Sequence, residues 1–226
     1  MQFEIRNKPD FASLHVVLDS GEQVVTEAGA MMGMNPELEM KTNMQGGLLG
    51  AAKRALGGES VFLNTYTATG AAQRLDIAPS APGDMEHIAM EGGAVMVQSG
   101  SYCASTPGVT VDTKWGGART FFGGEGLLML RCHGSGELWI SSYGAIHAVD
   151  VRGTYTVDTG HIAAFEESLT FKVRKVGGMK SLFLSGEGLV CEFTGNGRLW
   201  FQTRNAPALA SFLHPFRRIK PKKKEE

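Results

Sequence analysis

Glu59, Glu125 and Glu187 are the side chains whose type and spacing come nearest to a site for chemistry. Each lies in a Gly-Glu-x-(Leu/Val) step that opens an apolar run: Gly58-Glu59-Ser60-Val61, Gly124-Glu125-Gly126-Leu127 and Gly186-Glu187-Gly188-Leu189, 66 and 62 residues apart. Three copies of one unit would bring three carboxylates around a pseudo-threefold axis, where oxygen ligands can hold a divalent cation. A local role competes with this and is the stronger reading: a Gly-Glu turn before a strand caps backbone N–H groups or pairs with an arginine.

The remaining reactive side chains fit no standard motif. His15, His87, His133, His147, His161 and His214 show neither HxH nor HExxH spacing, and a metal site needs several converging ligands. A nucleophilic cysteine needs a histidine and an orienting group beside it, and nothing in the spacing places Cys103, Cys132 or Cys191 next to such a pair. There is no GxSxG, and Gly123-Gly124-Glu125-Gly126 is not a phosphate-binding GxxxxGK[ST] loop. Trp139 and Trp200 occupy matching places, which favours core packing over ligand stacking. No catalytic, metal-ligating or cofactor-binding residue is assigned, and no cofactor is expected.

The elements that would position such groups recur as well. Upstream of each Gly-Glu step come Glu27-Ala28-Gly29-Ala30-Met31-Met32, Glu91-Gly92-Gly93-Ala94-Val95-Met96 and Asp158-Thr159-Gly160-His161-Ile162-Ala163. Between the landmarks stand Gly46-Gly47, Gly116-Gly117 and Gly177-Gly178. Gly134-Ser135-Gly136-Glu137-Leu138-Trp139 matches Gly195-Asn196-Gly197-Arg198-Leu199-Trp200, whereas the first copy lacks the Trp. Self-similarity at a fixed period marks one supersecondary unit used repeatedly. The expected organisation is a triplicated β-domain over 1–206, with repeats near 1–78, 79–141 and 142–206, followed by a C-terminal helix and basic tail over 207–226.

Short apolar runs bounded by Gly, such as Val61–Thr67, Leu127–Cys132 and Leu189–Thr194, read as strands. Thr120–Phe122, Leu138–Tyr143 and Leu199–Thr203 add more, with Pro82-Gly83-Asp84 and Gly195-Asn196-Gly197 read as turns. The fold class predicted is all-β, a sandwich or short double-stranded β-helix, with short helices near 48–56 and 208–213. Leu48, Leu49, Ala52 and Leu56 fall on one helical face, and a second helix should stop before Pro215.

Composition bounds the rest. With 226 residues, 42% hydrophobic content and 30 glycines, the chain is a turn-rich globular protein. No apolar stretch reaches the roughly 18 residues of a membrane-spanning helix. No secretory signal is visible at Met1–Arg6, and three widely spaced cysteines favour reduced, buried thiols, so a cytoplasmic location is expected. Net charge is −1, yet Arg217 to Glu226 holds six basic and two acidic groups. A basic tail on an acidic body does not read as a nucleic-acid-binding domain, whose basic stripe would lie on the fold.

Gly46-Gly47-Leu48-Leu49-Gly50 with Lys53-Arg54, followed by Gly58-Glu59-Ser60-Val61-Phe62-Leu63-Asn64-Thr65-Tyr66, resembles the AIM-twenty-four (altered inheritance of mitochondria) family of the tryptophan-RNA-binding-attenuator-like (TRAP-like) superfamily. Pro82-Gly83-Asp84, Gly124-Glu125-Gly126-Leu127 and Gly186-Glu187-Gly188-Leu189 carry the same resemblance, which covers 1–206. It implies an all-β fold of three related units and homo-oligomers, with a trimer favoured. It also implies a mitochondrial, inner-membrane link in eukaryotic relatives, unknown function in compact prokaryotic-type members, and no catalytic residues to carry over.

The expected function is therefore a non-enzymatic oligomeric scaffold or interaction protein, peripheral to a membrane. Its interaction surface is assigned to Leu48, Leu49, Lys53, Arg54 and Leu56 together with Phe212, Phe216, Arg217 and Arg218, facing a protein partner or an anionic bilayer. The alternative is a small-ligand or metal-binding β-barrel-like protein. RNA binding ranks below both.

Overall fold

Alternation of apolar and polar residues sets the first strands. In the computed structural model, which describes residues 1–44, 62–112, 128–175 and 189–217, strand β2 (Ser13–Leu18) buries Leu14, Val16 and Leu18 and turns Ser13, His15 and Val17 to the other face. This is the period-two pattern of a strand packed on one side. It lies between β1 (Gln2–Arg6) and β7 (Gln73–Ile77), and β4 (Met31–Met34) completes a four-stranded sheet in the order β1-β2-β7-β4. The fold is all-β.

A larger sheet carries the rest. Its strands are β3 (Gln23–Glu27), β5 (Glu39–Met44), β6 (Phe62–Thr67), β8 (Met85–Gln98), β9 (Tyr102–Ser105), β11 (Met129–Ser141), β12 (Ile146–Asp158), β13 (Ile162–Glu166) and β15 (Leu189–Gln202). Their order is β12-β15-β13-β8-β11-β9-β3-β6-β5; β10 (Val109–Asp112) adds to β11 and β14 (Thr170–Lys175) to β15. Every strand pairing is antiparallel. A helix, α1 (Ala206–Leu213), follows the last strand, capped by the Asn205 side chain, which accepts from the Ala208 N–H, and a 3-10 turn runs on through Phe216. The C-terminal helix thus begins two residues before its predicted start and ends at Leu213, ahead of Pro215.

Two sequence expectations change. Gly195-Asn196-Gly197, read as a turn, lies inside the continuous strand β15, as the matching Gly134-Ser135-Gly136 lies inside β11. They serve close approach. A Cβ at Gly134 would overlap the Gly108 carbonyl, one at Gly136 the Thr106 hydroxyl, and one at Gly197 the Ser168 hydroxyl. In each case the bend leaving the neighbouring short strand is pressed onto the returning strand, and only glycine leaves room. The upstream landmark also shifts. Glu27 and Asp158 each end a strand just before a short one, whereas Glu91 stands in the middle of β8, where Gln98 is the residue that ends the strand.

The short strands meet the returning strands with one recurring offset. Tyr102 and Ala104 of β9 face Ile140 and Trp139; Ile162 and Ala164 of β13 face Phe201 and Trp200; Met31 and Gly33 of β4 face Ile77 and Asp76. A register shift falls between the two residues each time, the mark of a β-bulge. The core follows the chain in three clusters, around Leu14, Leu75 and Trp139, around Val97, Leu138 and Trp200, and around Phe165, Phe193 and Leu199.

Candidate functional site

The densest polar constellation among the described residues is one the histidine spacing alone does not reveal. Ser13 and His15 stand two apart on β2 and share a face, and the register of β2 with β7 places Asp76 opposite His15. His15 Nδ1 lies 2.6 Å from Asp76 Oδ1, and Ser13 Oγ lies 3.0 Å from His15 Nε2. Arg74 Nε donates to Asp76 Oδ1 at 2.7 Å, and its Nη2 stands 3.2 Å from His15 Nδ1. Burial pushes the Asp76 carboxyl up, but the Arg74 and His15 hydrogen bonds and charges outweigh it and hold the group below the usual carboxylate range.

The Ser-His-Asp connectivity is that of an acyl-transfer triad, which works only if the histidine can take the serine proton and carry charge. Here Asp76 is not reserved for the imidazole: Arg74 bonds the same carboxylate oxygen and also reaches His15 Nδ1. The array also lies apart from two cavities of the described residues. One, of about 520 Å³, is lined by Ile88 to Glu91, Gly93 to Val95 and Glu166 to Ser168; the other, of about 250 Å³, by Gln23, Val25, Leu63, Thr65, Pro107 and Val109 to Val111. What the network does well is tie β2 to β7 on the face away from the core.

The other histidines make local contacts. His87 Nε2 bonds Glu137, and its ring packs between Phe3 and Trp139 at centroid distances of 4.7 and 5.8 Å. His161, the histidine that breaks the repeat pattern, bonds the Gln202 carbonyl through Nδ1 at 2.7 Å, and His147 stacks on Phe201. Trp139 and Trp200 are core residues, and among the described residues their indole N–H groups have no hydrogen-bond partner. Cys103, Cys132 and Cys191 are free and buried, and burial raises all three thiols, Cys132 and Cys191 to about 12. Glu27 is half-buried and pushed up to about 7 by desolvation. No group of three or more His, Cys, Asp or Glu among the described residues is arranged to hold a metal ion.

Of the surface assigned from sequence, the structure places Phe212, Phe216 and Arg217 together at the C-terminal segment. Phe212 and Phe216 pack ring to ring at 5.8 Å. Leu48, Leu49, Lys53, Arg54, Leu56 and Arg218 lie outside the described residues, as do Glu59, Glu125 and Glu187. Among the described residues, no helix is long and apolar enough to cross a membrane.

The class these features define is an all-β protein of serially paired sheet strands, its polar networks joining strand to strand. The chain belongs to the AIM24 family, described as mitochondrial biogenesis AIM24, whose sequence profile matches residues 3–204. It is similar to an uncharacterised protein of Streptococcus pyogenes serotype M6, 26% identical over 223 residues, spanning 94% of this chain and 90% of that one. The crystal structure of a Streptococcus pyogenes protein shares the fold, with a TM-score of 0.80 at 24% identity, covering 96% of this chain and 99% of the other.

Proposed function

We propose that the protein is a non-enzymatic, self-assembling scaffold that docks on an anionic membrane surface through its C-terminal segment. The observation that carries the docking is α1. None of its residues is buried; Phe212 is 67% exposed and Phe216, just beyond it, 74%. A helix with no inward face contributes little to the stability of the body beside it. Apolar rings followed by Arg217, Arg218, Lys220 and Lys222 to Lys224 in the sequence suit a bilayer interface. Each basic residue near an anionic surface contributes about 1 kcal/mol, and a buried Phe about 2 kcal/mol, enough together for reversible adsorption.

Self-assembly is supported by the recurring offset of the short strands. We infer that it reflects three copies of one β-unit over 1–206, a plan that leaves unpartnered edges on the first and last copies. Sedimentation with phosphatidylserine vesicles tests the docking. The wild-type protein is expected to pellet at low salt, and a Phe212→Ser/Phe216→Ser variant to stay in solution with an unchanged melting temperature. Equal recovery of both would discard membrane docking. One observation favours a second reading, small-ligand binding. The 520 Å³ cavity brings the carboxylates of Glu91 and Glu166 to one cleft, where Glu166 accepts the Arg198 backbone N–H.

A further inference from the structure

We propose that copies of this chain join head to tail, β4 of one copy pairing with the end of β12 in the next, with Gly33 opposite Val157 and Met34 opposite Thr156. The proposal deepens the self-assembly reading and rests on it.

Twice within the chain a short strand docks on the outer edge of an earlier strand. In the first joint β9 lies on β3, with Ala104 opposite Thr26 and Ser105 opposite Val25. In the second β13 lies on β8, with Ala164 opposite Val97 and Phe165 opposite Met96. The two joints share one register. The alanine that faces a tryptophan on the returning strand pairs, on its other side, with the last residue but one of the earlier strand.

The same rule names the two halves of a third joint. On β4, Gly33 holds the place of the two alanines, facing Asp76 where they face Trp139 and Trp200. On β12, which ends at Asp158, the last residue but one is Val157. Among the described residues β4 pairs only with β7 and β12 only with β15. Both halves are open among the described residues.

Side chains carry the same signature. All of β9 is buried, as are Ile162 to Phe165 of β13. On β4 the corresponding side chains are uncovered: Met31 is 40% exposed, Met32 56% and Met34 38%. Val95 and Met96 of β8 are buried, whereas Tyr155 and Thr156, in the matching places on β12, are exposed; Val157, like Val97, is buried. Three methionines on an uncapped edge strand, free of charge and proline, present what such edges normally avoid. An edge of this kind is completed by a strand added from outside. Because β4 and β12 are different surfaces, the contact is heterologous, and its rotation decides whether copies close into a ring or extend as a filament.

The test is a chain carrying both Met34→Cys and Thr156→Cys, compared with each single variant after mild oxidation. Residues directly opposite in an antiparallel pair lie within disulfide reach, so the double variant should form covalent multimers at least about tenfold more readily than either single variant. The native cysteines are buried and do not compete. A disulfide within one chain, equal dimerisation of the single variants, or no bridge at all would overturn this joint. Native mass spectrometry of the wild-type chain separates the two levels of the idea. Wild-type multimers, with no crosslink between the two substituted positions in the double variant, leave self-assembly standing and remove this register. A monomer at every concentration removes both.

Discussion

Asp76 and Glu27 are two carboxylates whose surroundings pull in opposite directions, and each makes a separable prediction. Asp76 is held below its unfolded value, chiefly by Arg74 and His15 working against burial. Its contribution is fully present above the unfolded value, near pH 4, and is lost as pH falls through the depressed folded value. Asp76→Asn should therefore lower stability at pH 7 by about 1–3 kcal/mol, and the gap from wild type should narrow below about pH 4 in urea titrations. A constant gap across that range would remove the ion-pair account. Glu27 is the reverse case. Desolvation raises it to about 7, so the folded state holds the proton that the unfolded chain releases above about pH 4.3. Stability should fall as pH rises between those values and then level off; Glu27→Gln should flatten that slope and raise stability at pH 8 by on the order of 1–3 kcal/mol. The Ser13-x-His15 spacing puts two side chains on one face only once the segment is known to be a strand. Asp76, 61 residues from His15, was not legible at all, because nothing local to either residue encodes which strands pair.

At the scale of elements, the glycines divide into those under compression and those in open space. Gly136 has a φ of +144° and faces the Thr106 hydroxyl, which also accepts the Glu137 backbone N–H at 2.9 Å. Gly136→Ala should cost about 2 kcal/mol or more, from a strained backbone and a displaced bend. Gly93 lies in β8 with nothing near its would-be Cβ, so Gly93→Ala should be neutral or stabilising by about 0.5–1 kcal/mol. Comparable losses in thermal melts of the two variants would show that close approach is not what selects glycine at 136. The apolar runs read as strands at Leu189–Thr194 and Leu199–Thr203 do fall in a strand, the single β15, as far as Gln202. Leu14, Val16 and Leu18 of β2 form no such Gly-bounded run and carry only the period-two signal. Gly195-Asn196-Gly197 misled because a glycine kept for a neighbour's approach and a glycine kept for a reversal look alike along one chain. At Gly70-Ala71-Ala72, which the sequence aligns with the Gly-x-Gly steps, Ala72 has a φ of +53°, and there the chain does break into β6 and β7. Glu91 misled for a related reason: an acidic residue followed by glycine marks a strand end twice, at Glu27 and Asp158, but a strand interior the third time.

For the whole molecule, the question is whether three core clusters make one cooperative unit or three. Each cluster borrows from its neighbour: Cys103, Ala104 and Trp139 pack with the strands around Leu14, Ala164 and Trp200 with those around Leu138, and Met96 and Met129 with those around Phe193. Opening one cluster therefore strips side chains from the next, and stacked units coupled through such contacts unfold together when the contacts outweigh their own stability. The chain holds a reporter in each, since Cys103, Cys132 and Cys191 belong to successive clusters. Thiolates are the reactive species, and burial pushes all three thiols well above their ordinary range, so none should react with a maleimide in the folded protein at pH 7. In a urea series followed by pulsed labelling and peptide mass spectrometry, the three should become reactive at one common midpoint. Cys191 is the exacting case, because the last cluster has a neighbour on one side only. If it labels at clearly lower urea than Cys132, the interlocked clusters do not act as a unit, and the last cluster opens on its own.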